Sequence, residues 1–246
     1  MKKRILISTA ILAVGSAWAQ TKPIAIYPFN SNANSDIVSI NGTVTGATLT
    51  EDRFGNPNKA YLFNGVNSNI NLGSNTAYAF TNVFTISAWI KWAGKSTGVA
   101  DGSGIIVNRE GEYEIAIDST GDIMWALSTT SINSWAYTKT GVKVSKNTWN
   151  QVVFQYANSL VSIYLNGALI SQVARTGTID EESANTNAYD DLRIGNRQYT
   201  PQPFKGAIDL VKIYGVGLTA NEISNNYTSE SAKHEHFKMA DRKSVV

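Results

Sequence analysis

Three glutamates at alternate positions, Glu110, Glu112 and Glu114 in the run NREGEYEIAI, form the one cluster of side chains in this 246-residue chain suited to acid–base chemistry. Two carboxylates about 5–5.5 Å apart are enough to cleave a glycosidic bond with retention, one as nucleophile and the other as proton donor. Gly111 interrupts the run and marks a hairpin turn at Glu110 and Gly111, so the three are not expected to line one strand. The competing expectation is a charged rim that keeps a sheet edge from pairing with neighbours. Nucleophilic and zinc chemistry are excluded more firmly. The chain has no Cys, and its two His residues, His234 and His236, fall in the C-terminal tail, so the domain holds neither a Ser-His-Asp or Cys-His pair nor a His/Cys metal site.

The aromatic residues offer a different chemistry. Saccharides are held by flat aromatic faces against the C–H groups of the ring, together with a few directed hydrogen bonds. Trp125, Trp135 and Tyr137 fall on adjacent expected strands, with Arg109, Glu112 and Arg197 at the same rim, and these six are the candidate ligand-binding residues. Trp125 alternates with Ile123 and Leu127 and is equally a core position, whereas Trp135 and Tyr137 alternate with Ala136 and Thr138 and are expected to face outward. Trp89 and Trp149 sit in strongly apolar runs and are expected to pack.

Between residues 22 and 214 nearly every segment reads as a short strand with turn punctuation, and no amphipathic helix of useful length appears. Ser119 to Asp122, Asn158-Ser159 and Asn166-Gly167 supply residues that tolerate positive φ between alternating runs, which predicts three hairpins. Residues 43–49 read as one strand and residues 135–140 as another. Alternation turns Tyr113, Ile115 and Ile117 inward, and likewise Val152, Phe154 and Tyr156. In the closing strand it puts Ile208, Leu210 and Lys212 on one face and Asp209, Val211 and Ile213 on the other, apolar groups on both sides, so this strand belongs inside a sheet. Thr219 with Glu222 three residues on predicts a capped helical turn after it. The fold class is all-β, two antiparallel sheets packed as a sandwich.

Residues 1–19 read as a signal peptide: Lys2, Lys3 and Arg4, an apolar run, and Ala17-Trp18-Ala19 at the cleavage site. The expected protein is exported, secreted or at the cell surface, and no run approaches the roughly 20 apolar residues needed for membrane insertion. Between Gln20 and Glu230 there are 14 basic and 17 acidic residues, a net charge of −3, which disfavours nucleic acid as a partner. Without cysteines the core is stabilised by burial alone, within the reach of one domain over residues 20–230.

Several segments in order carry a family resemblance: YPFNSNANSD, FTISAWIKW, NREGEYEIAIDSTGDIMWAL, NTWNQVVFQYANSLVSIYLNGALI, DLRIGNR and FKGAIDLVKIYGVGLTANEISNNY. Together they resemble the laminin-G-like jelly-roll domains of the concanavalin A-like lectin/glucanase superfamily. The resemblance implies a jelly roll, more often binding than catalytic, with a glycan or an extracellular protein as partner. It also implies a structural calcium ion held by Asp209, a carbonyl near Gly65, and Asp36. Related glucanases carry their carboxylates along one regular strand, a pattern that Gly111 breaks here, so a glucanase-like hydrolase is the alternative and a structural spacer or adhesion domain the other. Ala157 departs from the family, many members of which carry an Asp at this turn.

Residues 231–246 lack periodicity and are expected to form a disordered tail. Its last six residues, DRKSVV, match the in-frame translation of a common sequencing-library adapter, which implies an open frame beyond Ala240 and further domains of the same chain. A chain ending at Glu230 is expected to match the full chain in expression, melting temperature and ligand binding, measured side by side. A drop in any of the three would show that the tail belongs to the folded unit.

Overall fold

The alternating runs form two antiparallel sheets in a computed structural model that describes residues 20–180 and 190–232. The signal-peptide segment and residues 233–246 of the expected tail lie outside the described residues. One sheet holds β1 (Ala25–Tyr27), β3 (Thr48–Thr50), β4 (Ala60–Asn64), β6 (Phe84–Trp92), β11 (Trp149–Ala157), β12 (Leu160–Leu165), β13 (Ala168–Ala174) and β15 (Lys205–Tyr214). The other holds β2 (Thr43–Thr45), β5 (Asn69–Asn71), β7 (Gly104–Arg109), β8 (Tyr113–Ile117), β9 (Asp122–Leu127), β10 (Thr138–Lys143) and β14 (Leu192–Ile194). Among the described residues the strand orders are β13-β12-β11-β6-β15-β4-β3, with β1 also on β15, and β10-β9-β8-β7-β14-β5-β2. No helix among them is long and apolar enough to cross a membrane.

The inner faces interlock as the alternation requires. Tyr113, Ile115 and Ile117 meet Val152, Phe154 and Tyr156 in one core that also takes Ile123, Trp125 and Leu127. Phe84 lies edge-on to Phe154 at 5.0 Å and tilted against Tyr113 at 4.8 Å, an arrangement that adds to simple area burial. All three hairpin turns form. Asn158 and Ser159 have φ of 53° and 58°, and Asn166 and Gly167 52° and 78°, the left-handed pairs that match the twist of two-residue hairpins.

Three expectations need correction. Residues 43–49 are two strands, because Gly46 at φ 65° turns the chain from one sheet to the other, and β2 pairs with β5 while β3 pairs with β4. Residues 135–140 are not one strand. β10 starts at Thr138, and Trp135 and Tyr137 lie in the preceding loop. In β15 the two-residue alternation is broken by a bulge: Leu210 adopts φ 45° and the register against β6 shifts between Asp209 and Lys212. A bulge resets which face later residues take. Ile208, Val211 and Ile213 therefore all enter the core, and Asp209 turns to the opposite face of the sheet.

On that outer face sits α1 (Ala220–Ser231), longer than the single turn expected. The Thr219–Glu222 capping box is present. Ile223 packs with Val153, Tyr164, Tyr214 and Leu218. Polar anchors hold the far end. The Glu230 carboxylate accepts from Trp89 Nε1 at 2.6 Å, Gln151 Nε2 at 2.8 Å and Lys212 Nζ at 2.6 Å. Tyr227 stacks on Trp89 at 5.7 Å, and Arg53 Nε donates to the Glu230 carbonyl at 2.8 Å. Trp89 is thus packed, as expected, but beneath the helix and not between the sheets. Removing the carboxylate strands two buried donors, Trp89 and Gln151, and the half-buried Lys212 ammonium. Glu230→Ala is expected to lower the unfolding free energy by about 3 kcal/mol in urea titration. An unchanged midpoint would show that the helix end is not anchored there.

Candidate functional site

On β8 the residues between the core-facing ones point to the outer face of the seven-stranded sheet, and the first of them is Glu114, fully buried. Asn108, its cross-strand partner on β7, donates Nδ2 to Glu114 Oε2 at 2.7 Å. Two loops cover this face. One brings Tyr137 down onto Ile105, Ala116 and Met124, with its hydroxyl between Glu114 Oε1 and Gln202 Oε1, 2.7 Å from the latter. The other, following β14, brings Arg197 and Gln202. It is shaped by the Asn196 side chain, which accepts from the backbone N–H of Arg197 at 2.9 Å and of Gln202 at 2.8 Å.

Arg197 grips Glu110 with two nitrogens: Nη2 donates to Oε1, and Nε to Oε2 at 3.2 Å. Its Nε also lies 3.9 Å from Glu114 Oε2, and its guanidinium 5.7 Å from the Trp135 ring. One cation therefore faces two buried carboxylates. Burial pushes the Glu114 carboxyl up, and with Glu110 it outweighs the opposing pull of Arg197, Tyr137 and Asn108, so its pKa is pushed up to about 7. Burial disfavours the charge on Arg197 as well, but Glu114 and Glu110 more than compensate and hold it protonated. Burial and the neighbouring Glu114 raise Tyr137, which stays a neutral phenol. Gln202 completes the network, donating Nε2 to Ser103 Oγ at 2.9 Å.

Of the six candidate ligand-binding residues, Arg197, Tyr137 and Trp135 come together here. Trp125 does not: it is 0 % exposed on the inner face, against Phe154, and cannot present a face to a ligand. Arg109 and Glu112 form their own ion pair at 2.6 Å, with Arg109 Nη1 donating to the Asp190 carbonyl at 2.6 Å, next to core-facing Tyr113. The glutamates are not an edge rim either, because β8 lies between β7 and β9. Gly111 does make the expected turn, at φ 73°. Glu110, Glu114, Asn108 and Gln202 join the site without having been singled out as ligands. The sequence carried one signal for them, a glutamate at an outward position of an otherwise apolar strand. At the surface over the network stand half-buried Trp135 and Tyr199, 65 % exposed, whose N–H lies 3.4 Å from Glu110 Oε2.

The three donors assigned to calcium do not fit an ion as they are placed. The Gly65 carbonyl already accepts from Ser96 Oγ at 2.8 Å and from the N–H groups of Thr97 and Gly98 at 3.0 and 2.8 Å. Gly65 N–H bonds Phe204, and five residues of extended strand separate Phe204 from Asp209, about 16 Å. Calcium holds its ligands at about 2.3–2.6 Å. Asp209 Oδ2 instead meets Arg53 Nη1 at 2.5 Å, and Asp36 is exposed, its N–H on the Ile26 carbonyl. No group of three or more His, Cys, Asp or Glu side chains among the described residues is placed to hold a metal.

Two antiparallel sheets with the core between them and loops folded over one outer face define a jelly-roll sandwich of the lectin type. A laminin G family model, described as concanavalin A-like lectin/glucanases superfamily, matches residues 64–224, and the chain belongs to this family. Solved structures share the fold at low identity. Domain 4 of a GH43 extracellular arabinanase from Geobacillus stearothermophilus, in complex with arabinotriose, is 22 % identical with a TM-score of 0.63, covering 84 % of this chain and 98 % of that one. The binding domain of Paraclostridial Mosquitocidal Protein 1 is 17 % identical with a TM-score of 0.64, covering 84 % and 51 %. The botulinum neurotoxin serotype G binding domain is 15 % identical with a TM-score of 0.63, covering 86 % and 52 %. The chain thus spans about half the length of the toxin binding domains. No curated protein matches it in sequence.

The raised Glu114 carboxyl has a pH signature. A group whose folded pKa, about 7, exceeds its unfolded value of 4.5 keeps its proton in the folded state after the unfolded chain has lost it. Its contribution to stability is full below about pH 4.5 and is lost as pH rises through about 7. Glu114→Gln is therefore expected to gain stability relative to wild type between pH 5 and pH 8 in denaturant titrations. Parallel pH curves for the two proteins would show that Glu114 is ionised throughout.

Proposed function

We propose that this domain is a non-catalytic, carbohydrate-binding module that uses the outer face of the seven-stranded sheet, with Trp135 and Tyr199 as the stacking surface and buried Arg197 as the group that positions them. One observation carries the reading: a buried, hydrogen-bonded charge network lies directly beneath surface aromatics. A buried ion pair contributes little net stability compared with apolar packing of the same volume, so its value lies in fixing positions. Here it fixes Arg197 and the loops bearing Trp135 and Tyr199. Rigid, pre-positioned aromatic groups are what a saccharide-binding surface requires. The likeness to an arabinanase domain in complex with arabinotriose and to toxin binding domains supports a binding role at the level of the fold.

Export, and membership of a larger surface or secreted protein whose partner is a glycan or an extracellular protein, belong to the same proposal. The hydrolase reading is weaker, because catalysis needs two carboxylates open to the substrate. Glu114 is fully buried under Tyr137, and Glu110, 4 % exposed, is held by both nitrogens of Arg197.

A glycan array on the purified domain identifies the ligand. Trp135→Ala and Tyr199→Ala are each expected to weaken its binding by about tenfold while leaving the melting temperature within a degree or two, as for aromatic anchors at other interfaces. No hydrolysis of β-glucans is expected. Reducing sugar released by wild type and lost in Glu110→Gln or Glu114→Gln would replace the binding module with a hydrolase. Affinity unchanged in both aromatic variants would move the site elsewhere.

A further inference from the structure

The Tyr137 hydroxyl carries one proton and stands between two oxygens, Glu114 Oε1 and Gln202 Oε1. It donates to one of them only, so the other must itself be a donor or face it as an unmatched lone pair. The far side of Gln202 decides which. Ser103 Oγ donates to Asp101 Oδ1 at 2.7 Å, beside the Ser103 N–H at 2.9 Å. With its proton directed at that carboxylate, Ser103 Oγ accepts from Gln202 Nε2 at 2.9 Å, and the same nitrogen lies 3.4 Å from Asp101 Oδ2. The amide of Gln202 is thereby fixed with its oxygen towards Tyr137. Tyr137 donates to that oxygen at 2.7 Å, and its remaining contact is satisfied only by a proton on Glu114 Oε1. The chain of donors runs from exposed Asp101 to fully buried Glu114, one proton to each link.

The surroundings of Glu114 do not replace that proton. Charged and titratable groups face it from three elements: Glu110 from the β7–β8 turn, Arg197 from the loop after β14, and Tyr137 from the loop before β10. From β7, Asn108 donates to Oε2, and β9 places Ala126 opposite. Arg197 Nε lies 3.9 Å from Oε2, outside hydrogen-bond reach, and both of its contacts to Glu110 are closer. Burial pushes the Glu114 carboxyl up to about 7, which brings loss of its proton to near-neutral pH. Once that proton leaves to water, Tyr137 turns its O–H to the new carboxylate, and Gln202 Oε1 is left against a lone pair at 2.7 Å. Arg197 Nη1, 3.4 Å from both the Tyr137 and Gln202 oxygens, is a weak substitute. The link that breaks joins the two covering loops, two residues from Trp135, whose ring lies 5.7 Å from the Arg197 guanidinium.

We infer that the Glu114 carboxyl is a positioning group, a proton-dependent latch that ties the loop bearing Trp135 and Tyr137 to the loop after β14, so that saccharide binding is strong below neutral pH and weak above it. Binding rests here on the Trp135 and Tyr199 surface proposed above; the latch stands on the hydrogen bonds alone.

Fluorine NMR of the 5-fluorotryptophan-labelled domain reads the loop without a ligand, with the Trp135 signal assigned through Trp135→Phe. That signal is expected to titrate with a midpoint near pH 7. Glu114→Gln gives Tyr137 a permanent N–H donor and is expected to keep the low-pH signal up to about pH 8.5. Ser103→Ala lets Gln202 turn its nitrogen to Tyr137, which then donates to ionised Glu114, and is expected to move the midpoint down. Should Glu114→Gln fail to fold, the wild-type and Ser103→Ala titrations still decide the matter. A Trp135 signal independent of pH, a titration that persists in Glu114→Gln, or a midpoint unmoved in Ser103→Ala would each overturn the latch. A glycan array run at about pH 5.5 and pH 8.5 reads the binding. Wild-type signal is expected to fall about tenfold at the higher pH as the competent state is depleted, and Glu114→Gln to keep it. Equal array signal at both pH values, beside a titrating Trp135, would overturn the control of binding. No array signal at either pH would remove the carbohydrate reading, with the latch still decided by the NMR titration.

Discussion

The left-handed non-glycine residue in β15 governs more of this molecule than any other backbone feature. Leu210 at φ 45° is a costly conformation for a side chain branched beyond Cβ, by about 1–2 kcal/mol. In return one edge of β15 serves two partners in succession, β4 along Lys205–Ile208 and β1 along Val211–Ile213, while the other edge keeps β6 throughout. An unbroken strand would place Asp209 and Val211 on one face, forcing either a carboxylate into the core or a valine out of it. The bulge frees Asp209 to meet Arg53, and Arg53 in turn reaches the end of α1.

The two outer faces repeat one arrangement with different covers. On the eight-stranded sheet Arg53 pairs with Asp209 and lies 4.9 Å over Trp89. On the seven-stranded sheet Arg197 pairs with Glu110 and lies 5.7 Å from Trp135. In both, a cation is bracketed by a carboxylate and an indole and kept from bulk water. The first is roofed by a helix whose Glu230 accepts from Arg53 through its carbonyl and from Trp89 through its carboxylate, and it reads as structure. The second is roofed by loops that leave aromatic surface in solvent, and it carries the functional proposal. What distinguishes them is the cover, not the chemistry.

Legibility in the sequence followed the same division. Period-two alternation identified the core faces of β8 and β11, and the turn residues located three hairpins, because both signals are local. The capping box was readable for the same reason. The bulge was not, since nothing about Leu210 as a residue type announces positive φ; the demand comes from β1 and β4 sharing one edge. The division of residues 43–49 between two sheets is equally a matter of tertiary partners. For the site, Arg197, Tyr137 and Trp135 were legible as residue types suited to a ligand. Asn108 was not, because it meets Glu114 only through the β7–β8 register, and Glu110 and Gln202 were not, because they converge only through the covering loop after β14. Trp125 shows the converse. Its neighbours Ile123 and Leu127 fitted an inward strand position as well as its chemistry fitted a ligand, and packing decided between them.

The first described residues lie against the last helix: Gln20 hydrogen-bonds Asn226, and Thr21 hydrogen-bonds Glu222. Entry and exit of the polypeptide are therefore neighbours on one surface, far along the chain but close in space. An attachment made through the end of α1 therefore sits beside the residues that follow the expected cleavage site, so one surface of the domain carries both ends of the described chain.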